Sequence, residues 1–214
     1  MIFVPTLTHG DVTVRSIRPR DAGTINRLLR DNRSWLQRWE ATIPGYDGPP
    51  PAREMIRNVL RLARKDQVAP FVIEYRGEVV GQITLSGLSF GSLASGAAGY
   101  WVTQAVAGRG VTPTALALVT DWAFTNLGIH RVEVCIRPEN EASLRVVRKL
   151  GFRYEGLRRR YIHIDGDWRD HFSFAVTLDE ALGGLLARIV RGTANESLAD
   201  IPEADRVAAQ TPIR

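Results

Sequence analysis

The chain has 214 residues, of which 44% are apolar and 24% charged, a composition typical of a globular protein rather than a disordered or fibrous one. No run approaches the roughly 20 apolar residues that a membrane-spanning helix needs, and the first residues lack the features of a signal peptide. The net charge of +5 comes from scattered arginines, so nucleic-acid binding is not expected. A single cysteine, Cys135, excludes an internal disulfide, and the cytoplasm is the expected compartment.

The N-terminal part of the chain predicts one strand and two helices. Alternating apolar and polar residues predict a strand over 12–18, and Asp21 can cap the helix that follows. A short aromatic segment covers 35–40, and glycines with three consecutive prolines predict a loop over 44–51. Apolar residues recur at helical spacing over 52–63, so an amphipathic helix is expected there.

The middle of the chain has the pattern of strands. Two runs rich in β-branched residues, 71–75 and 79–85, flank a short turn and predict a hairpin. Small residues over 91–98 are typical of a loop, and this loop leads into a predicted strand over 99–102.

The second half of the chain alternates helices with strands. Helices are predicted over 113–127, 140–150 and 179–190, and strands over 131–136, 154–164 and 171–177. From 191 onward small and polar residues show no periodicity, which predicts a flexible tail over 191–214. With residues 1–10 as an N-terminal extension, the expected organisation is one α+β domain over 11–190 around a mostly antiparallel sheet.

A glycine-containing loop between a strand and a helix is a candidate phosphate site. Gly108 and Gly110 allow close approach of a ligand, and the N-terminus of the next helix presents unpaired N–H groups at its positive end. Thr112 suits the helix cap and Pro113 the first helical position. A turn used only for packing is the alternative interpretation.

A second motif lies at the start of the helix predicted over 140–150. Asn140 is expected to be the N-cap of this helix, which places Ser143 in its first turn. The hydroxyl of Ser143 is either a proton donor or a solvated polar group.

In this order the motifs resemble the GCN5-related N-acetyltransferases (GNAT), within the RimJ/RimL branch of ribosomal-protein alanine acetyltransferases. The resemblance covers about residues 11–178. It rests on Gly99-Tyr100-Trp101, Ala107-Gly108-Arg109-Gly110, Asn140 with Ser143, 150–156 and 168–171.

The resemblance implies a GNAT acyl-CoA N-acyltransferase fold, in which helices flank a mixed, mostly antiparallel sheet with one splayed parallel strand pair. Acetyl-CoA is then the cosubstrate, and an amine attacks its thioester directly, without a metal or a covalent enzyme intermediate. The matching positions are Tyr100, Trp101 and Val102 for the pantetheine and thioester, Gly108, Arg109, Gly110, Val111 and Thr112 for the pyrophosphate, Asn140 for packing against the cofactor, and Ser143 as proton donor to the thiolate.

The sequence departs from the family in the general base. Relatives often carry a glutamate where this chain has Ala97 or Ile162, so another group must remove the proton. The candidates are Glu40, His163, Asp170 and Glu74, and the segment carrying Trp35, Trp39 and Glu40 is expected to wall the acceptor site.

The resemblance favours acetylation of a protein N-terminal α-amine, with a ribosomal protein as the analogy. Acetylation of a small amine is the alternative enzyme function, and a catalytically silent acyl-CoA-binding module is the alternative without catalysis. RNA binding through Arg158–Arg160 would predict a steep salt dependence. A homodimer is left open, because dimers are common among such enzymes.

Overall fold

The computed structural model describes residue 2, residues 4–45 and residues 51–211. Most of the loop predicted over 44–51 therefore lies outside the described residues. Within the described ranges, no helix is both long enough and apolar enough to cross a membrane.

One sheet of eight strands organises the described part of the chain, in the order β1-β2-β3-β4-β5-β6-β8-β7. The strands are β1 (Leu7–His9), β2 (Val12–Ser16), β3 (Ala69–Tyr75), β4 (Glu78–Ser89), β5 (Ser95–Val102), β6 (Arg131–Ile136), β7 (Arg153–Ile164) and β8 (Asp167–Thr177). The α-helices are α1 (Ala22–Asp31), α2 (Arg33–Leu36), α3 (Ala52–Ala63), α4 (Val111–Asn126), α5 (Glu141–Leu150), α6 (Leu185–Arg191) and α7 (Glu203–Gln210). This is the α+β arrangement, a mixed sheet flanked by helices, that the resemblance implied.

The two faces of the sheet bury separate apolar clusters, because successive strand residues point to opposite sides. Phe71 and Ile73 of β3 pack in the larger cluster, with α4 and α5. Val72 packs on the other face, with α1 and α3. α4 is buried around much of its circumference, as expected for a helix that is apolar on nearly all sides.

The sheet splits at its one parallel pair. β5 pairs with β6 only from Ser95 to Ala97, opposite 131–133, while all other neighbouring strands pair antiparallel. Beyond Ala97 the two strands diverge, so the C-terminal end of β5 pairs with β4 alone. The gap lies beside Tyr100, Trp101 and Val102.

The start of β5 differs from the sequence-based expectation. Residues 91–98 were expected to be a loop, yet β5 begins at Ser95. Its small residues have little intrinsic strand preference, but β4 and β6 supply hydrogen-bonding partners on both sides. Tertiary pairing therefore outweighs local preference here.

Asp21 precedes α1 as predicted, but its carboxylate does not bond the helix amides. It accepts two hydrogen bonds from the Arg15 guanidinium, at 2.9 and 3.0 Å, and one from the Arg18 N–H at 2.7 Å. Burial by itself raises the pKa of Asp21, but these bonds outweigh it and the net shift is downward. The residue joins β2 to the turn before α1 instead of capping the helix.

The region after β8 differs from the expectation of a long helix, and it contains further elements where no periodicity predicted them. The helix predicted over 179–190 is confined to α6, and the chain then forms a short 3₁₀ turn at Glu196–Ala199 followed by α7. Ala199 and Ile201 are buried in the larger core cluster, and the Tyr154 hydroxyl donates to Asp205 at 2.7 Å. Ala199 and Ile201 can pack without a periodic pattern in the sequence, because the rest of the domain already forms the surface that they contact.

Replacing Ile201 with Ala should test this packing. Ile201 is 8% exposed, so Ile201→Ala is expected to lower the free energy of unfolding by about 2 kcal/mol, measured by urea denaturation. Val207, which is 53% exposed in the same segment, provides the control, and Val207→Ala should cost less than about 0.5 kcal/mol. Equally small effects in both variants would mean that the segment does not pack against the domain.

Candidate active site

Two cavities meet where β5 and β6 diverge. The first, of about 740 Å³, extends from the glycine loop along the N-terminal ends of α4 and α5. The second, of about 420 Å³, is lined by residues of β4, β5, β6, α1 and α3. Both are lined by Leu36, Trp39, Tyr100, Trp101, Asn140 and Ser143. A molecule in the first cavity can therefore reach one in the second through the gap in the sheet.

The glycine loop presents unpaired backbone amides to the first cavity. Gly108 and Gly110 have φ values of +78° and +79°, a backbone conformation that favours glycine. Within the described residues, the N–H groups of Gly108, Gly110, Val111 and Thr112 have no hydrogen-bond acceptor. Converging amides at a helix N-terminus are suited to a phosphate group.

The start of α4 differs in detail from the sequence-based prediction. Gly110 is the N-cap, so Thr112 and Pro113 are the second and third helical residues rather than the cap and the first residue. The left-handed conformation of Gly110 turns the chain directly into the helix. Arg109 also differs from the other loop residues, because its N–H already donates to the Val106 carbonyl at 3.3 Å and it lines neither cavity.

Asn140 and Ser143 lie at the N-terminus of α5, as predicted. The Asn140 side chain accepts a hydrogen bond from the Ser143 N–H at 3.1 Å, which confirms the predicted N-cap. This contact uses the backbone of Ser143 and leaves its hydroxyl available.

The hydroxyl of Ser143 lies 2.8 Å from that of Tyr100. Burial raises the pKa of Tyr100 to about 12, while the hydrogen bond with Ser143 acts in the opposite direction, so the phenol is protonated at neutral pH. The resemblance implied contacts of Tyr100 with the pantetheine and thioester through its backbone, and no role for its hydroxyl. The alternation of residues along β5 could have predicted that the Tyr100 side chain lies on the face toward α5. It could not have predicted the contact with Ser143.

The end of β5 directs main-chain groups away from β4. The Val102 carbonyl accepts a hydrogen bond from the Trp35 indole at 3.2 Å, whereas the Thr103 N–H donates to β4 through Val80. Since strand residues alternate in direction, Tyr100 presents its N–H and C=O on the same side as Val102, toward the gap. The Trp101 indole donates to Gln82 at 3.1 Å, which fixes that ring over the sheet.

The three residues expected to wall the acceptor site do not all line the same cavity. Trp35 lines the first cavity alone, Trp39 lines both, and Glu40 lines the second. The Glu40 carboxylate is paired with Arg33, and the guanidinium of Arg137 lies 5.5 Å from the Trp39 ring centroid.

The other three candidate bases line neither cavity. The His163 Nδ1 lies 2.7 Å from the Thr42 hydroxyl, and Glu74 accepts from Arg15 at 2.7 Å. Asp170 accepts the Arg160 N–H at 2.6 Å and is also paired with Arg159.

A histidine that belongs to the motif at 168–171, but that was not among the candidate bases, does line the second cavity. His171 of β8 is only 3% exposed, and its Nδ1 lies 2.9 Å from the Arg169 carbonyl. Burial lowers the pKa of His171 below its ordinary value. The sequence offered one signal, the place of His171 in the motif over 168–171, but the orientation of its ring toward a cavity depends on how β8 pairs with its neighbours.

Comparisons with known proteins agree with this geometry. The acetyltransferase (GNAT) domain family matches residues 11–153 of the chain. The probable N-acetyltransferase YjcK of Bacillus subtilis is 30% identical, over 77% of this chain and 93% of that protein. The ribosomal protein uS5-alanine N-acetyltransferase of Escherichia coli is 28% identical, over 80% of this chain and 90% of that protein.

A solved structure extends the likeness to three dimensions. Mycobacterium smegmatis RimJ in complex with CoA-disulfide matches with a TM-score of 0.79 at 36% identity, over 85% of this chain and 88% of that one. A family match over most of the chain, with relatives covered over nearly their whole length, defines the class of protein. The chain belongs to the GNAT family and is an acetyl-CoA-dependent N-acetyltransferase.

Proposed function

We propose that the chain transfers the acetyl group of acetyl-CoA to the N-terminal α-amine of a ribosomal protein. The observation that carries the proposal is the junction of two cavities at Ser143, Tyr100 and the gap in the sheet. One cavity suits a cofactor with a diphosphate, and the other suits an amine that must reach its thioester.

The residues around the first cavity fit acetyl-CoA. The unpaired amides of Gly108, Gly110, Val111 and Thr112 would bind the pyrophosphate, and the positive end of α4 adds to their attraction. The N–H and C=O of Tyr100 face the gap, so they can form hydrogen bonds with the pantetheine arm as they would with a neighbouring strand. Asn140 lines the first cavity between the proposed pyrophosphate site and the proposed pantetheine site.

When bound, acetyl-CoA supplies a thioester whose carbonyl carbon the amine attacks and whose sulfur leaves. Ser143 is placed to give a proton to that sulfur, and the protonated Tyr100 hydroxyl orients it. Cys135 is not needed as a nucleophile, and burial raises the pKa of its thiol, which disfavours the reactive thiolate.

The charges of the second cavity favour a protein N-terminus over a polyamine. The charged side chains among its described lining residues are Glu40, already paired with Arg33, and the cationic Arg137. A polyamine carries several positive charges and requires unpaired carboxylates. An α-amine carries one charge, and its remaining chain can lie along the apolar wall of Trp39 and Trp101.

Steady-state assays with two classes of acceptor test the proposed substrate. A peptide with the N-terminal sequence of ribosomal protein uS5 is expected to be acetylated with a kcat/KM at least roughly 100-fold above that for spermidine or free amino acids, because only a peptide fills the cavity beyond the amine. The same peptide with a blocked N-terminus is the control and should not react. Turnover of small amines alone would contradict the proposal.

A further inference from the structure

We propose that His171 is the general base that removes a proton from the acceptor amine, an inference that rests on the proposed function. The acceptor amine must lose a proton before it can attack, and of the four candidate bases only Glu40 lines a cavity, where it is already paired with Arg33. His171 fits by its position, its tautomer and its electrostatic surroundings.

The position of His171 places it on the acceptor side of the gap. It lines the second cavity together with Gly99, Tyr100 and Ser143, and it does not line the first. A base is needed where the amine approaches, whereas the thiolate leaves on the side of the first cavity. His171 thus lies where a proton must be removed from the amine, and Ser143 lies where a proton must be given to the thiolate.

The tautomer of His171 is determined by its neighbour. A carbonyl oxygen only accepts hydrogen bonds, so the contact of 2.9 Å with Arg169 requires that Nδ1 carries the proton. In the neutral ring Nε2 then has a free lone pair. Within the described residues no protein group bonds to Nε2, and the residue lines the second cavity, so we place this lone pair on the side of the acceptor.

The surrounding charges favour the neutral ring. Burial is the largest cause that lowers the pKa of His171, and Arg137 lowers it further, while Glu139 and Asp170 act in the opposite direction. Two titratable residues of β7 lie near the ring: Tyr161, whose ring lies edge-on at 5.9 Å, and Arg158, which pairs with His171. Two more, Cys135 and Glu40, line the same cavity. Arg137 lines the cavity too, and its charge also disfavours the protonated form of a bound amine.

In the proposed step Nε2 takes one proton from the acceptor ammonium and leaves a neutral amine. The nitrogen lone pair forms the C–N bond with the thioester carbonyl carbon, the C–S bond breaks, and its electron pair goes to sulfur. Ser143 gives a proton to the sulfur and recovers one from the acylated nitrogen. The imidazolium returns its proton to solvent, so the net products are the N-acetyl amine, the CoA thiol and one proton.

The test is the pH dependence of kcat in His171→Asn. Asparagine can still donate to the Arg169 carbonyl but has no group at the position of Nε2. At pH 7 the variant should lose about 100-fold in kcat on the uS5 peptide, with the affinity for acetyl-CoA unchanged by calorimetry. As pH rises from 7, its kcat should increase by about tenfold, until the bound ammonium loses its proton to solvent near roughly pH 8. The wild-type kcat should stay level down to below about pH 6.5.

His163→Asn is the matched control, because His163 lies on the neighbouring strand β7 and lines neither cavity. It should keep the wild-type rate and pH profile. A wild-type rate in His171→Asn, or a loss that higher pH does not restore, would overturn the assignment of the base. The same pH-restored loss in Glu40→Gln but not in His171→Asn would identify Glu40 instead. If the wild type acetylates neither peptide nor small amine, the proposed function fails first, and this inference fails with it.

Discussion

Gly110→Glu is expected to weaken acetyl-CoA binding by at least roughly 100-fold, which corresponds to about 2.7 kcal/mol. The cause is the new carboxylate, which would stand among the amides proposed to bind the pyrophosphate and repel it. Gly110 also has a φ of +79°, where a side chain costs about 1–2 kcal/mol of stability, so the variant must be shown to be folded. Isothermal titration calorimetry with acetyl-CoA and with CoA on the folded variant measures the effect.

Gly77→Glu separates the loss of binding from the strain of the substitution. Gly77 has a φ of +82°, an added Cβ there meets nothing within 4 Å, and the residue lies in the turn between β3 and β4, away from both cavities. It should lose similar stability but bind acetyl-CoA as the wild type does. Equal affinities in the Gly110 and Gly77 variants would show that the glycine loop does not bind the diphosphate.

Ser143→Ala is expected to lower kcat by about 100-fold and to leave acetyl-CoA affinity unchanged. The contact between the Asn140 side chain and residue 143 uses a backbone N–H, which alanine retains, so the start of α5 should persist. The substitution removes only the hydroxyl that lies 2.8 Å from Tyr100. Single-turnover rates with the uS5 peptide measure the acetyl-transfer step directly.

Tyr100→Phe distinguishes a proton donor from the group that orients it. This variant keeps the Ser143 hydroxyl and removes its partner, so a smaller loss of about tenfold is expected. A larger loss in Tyr100→Phe than in Ser143→Ala would assign the proton transfer to Tyr100. Wild-type turnover in Ser143→Ala would remove Ser143 from the mechanism altogether.

Elements with strong local signals were predicted well. α3 and β6 occupy the predicted ranges, 52–63 and 131–136, because periodicity alone defines them. Asn140 caps α5 as expected, since capping depends on residues only three positions apart. The resemblance to GNAT enzymes followed from short motifs of the same local kind.

Features that depend on distant partners were not predicted. β5 begins within an apparent loop because β4 and β6 pair with its small residues. In the segment from 191 to 211, Ile201 packs in the larger core cluster and Asp205 accepts a hydrogen bond from Tyr154, contacts with earlier parts of the chain that no local pattern announces. In both places tertiary contacts outweigh a weak local signal.

The sequence by itself determined the family, the glycine loop and the capped helix that carries Ser143, because each depends on residues close together in the chain. Only the tertiary structure decided that Tyr100 contacts Ser143 and that His171, rather than His163 or Asp170, lines the second cavity. Which side chains share a cavity depends on how strands from separate parts of the chain align, and no local pattern records that alignment.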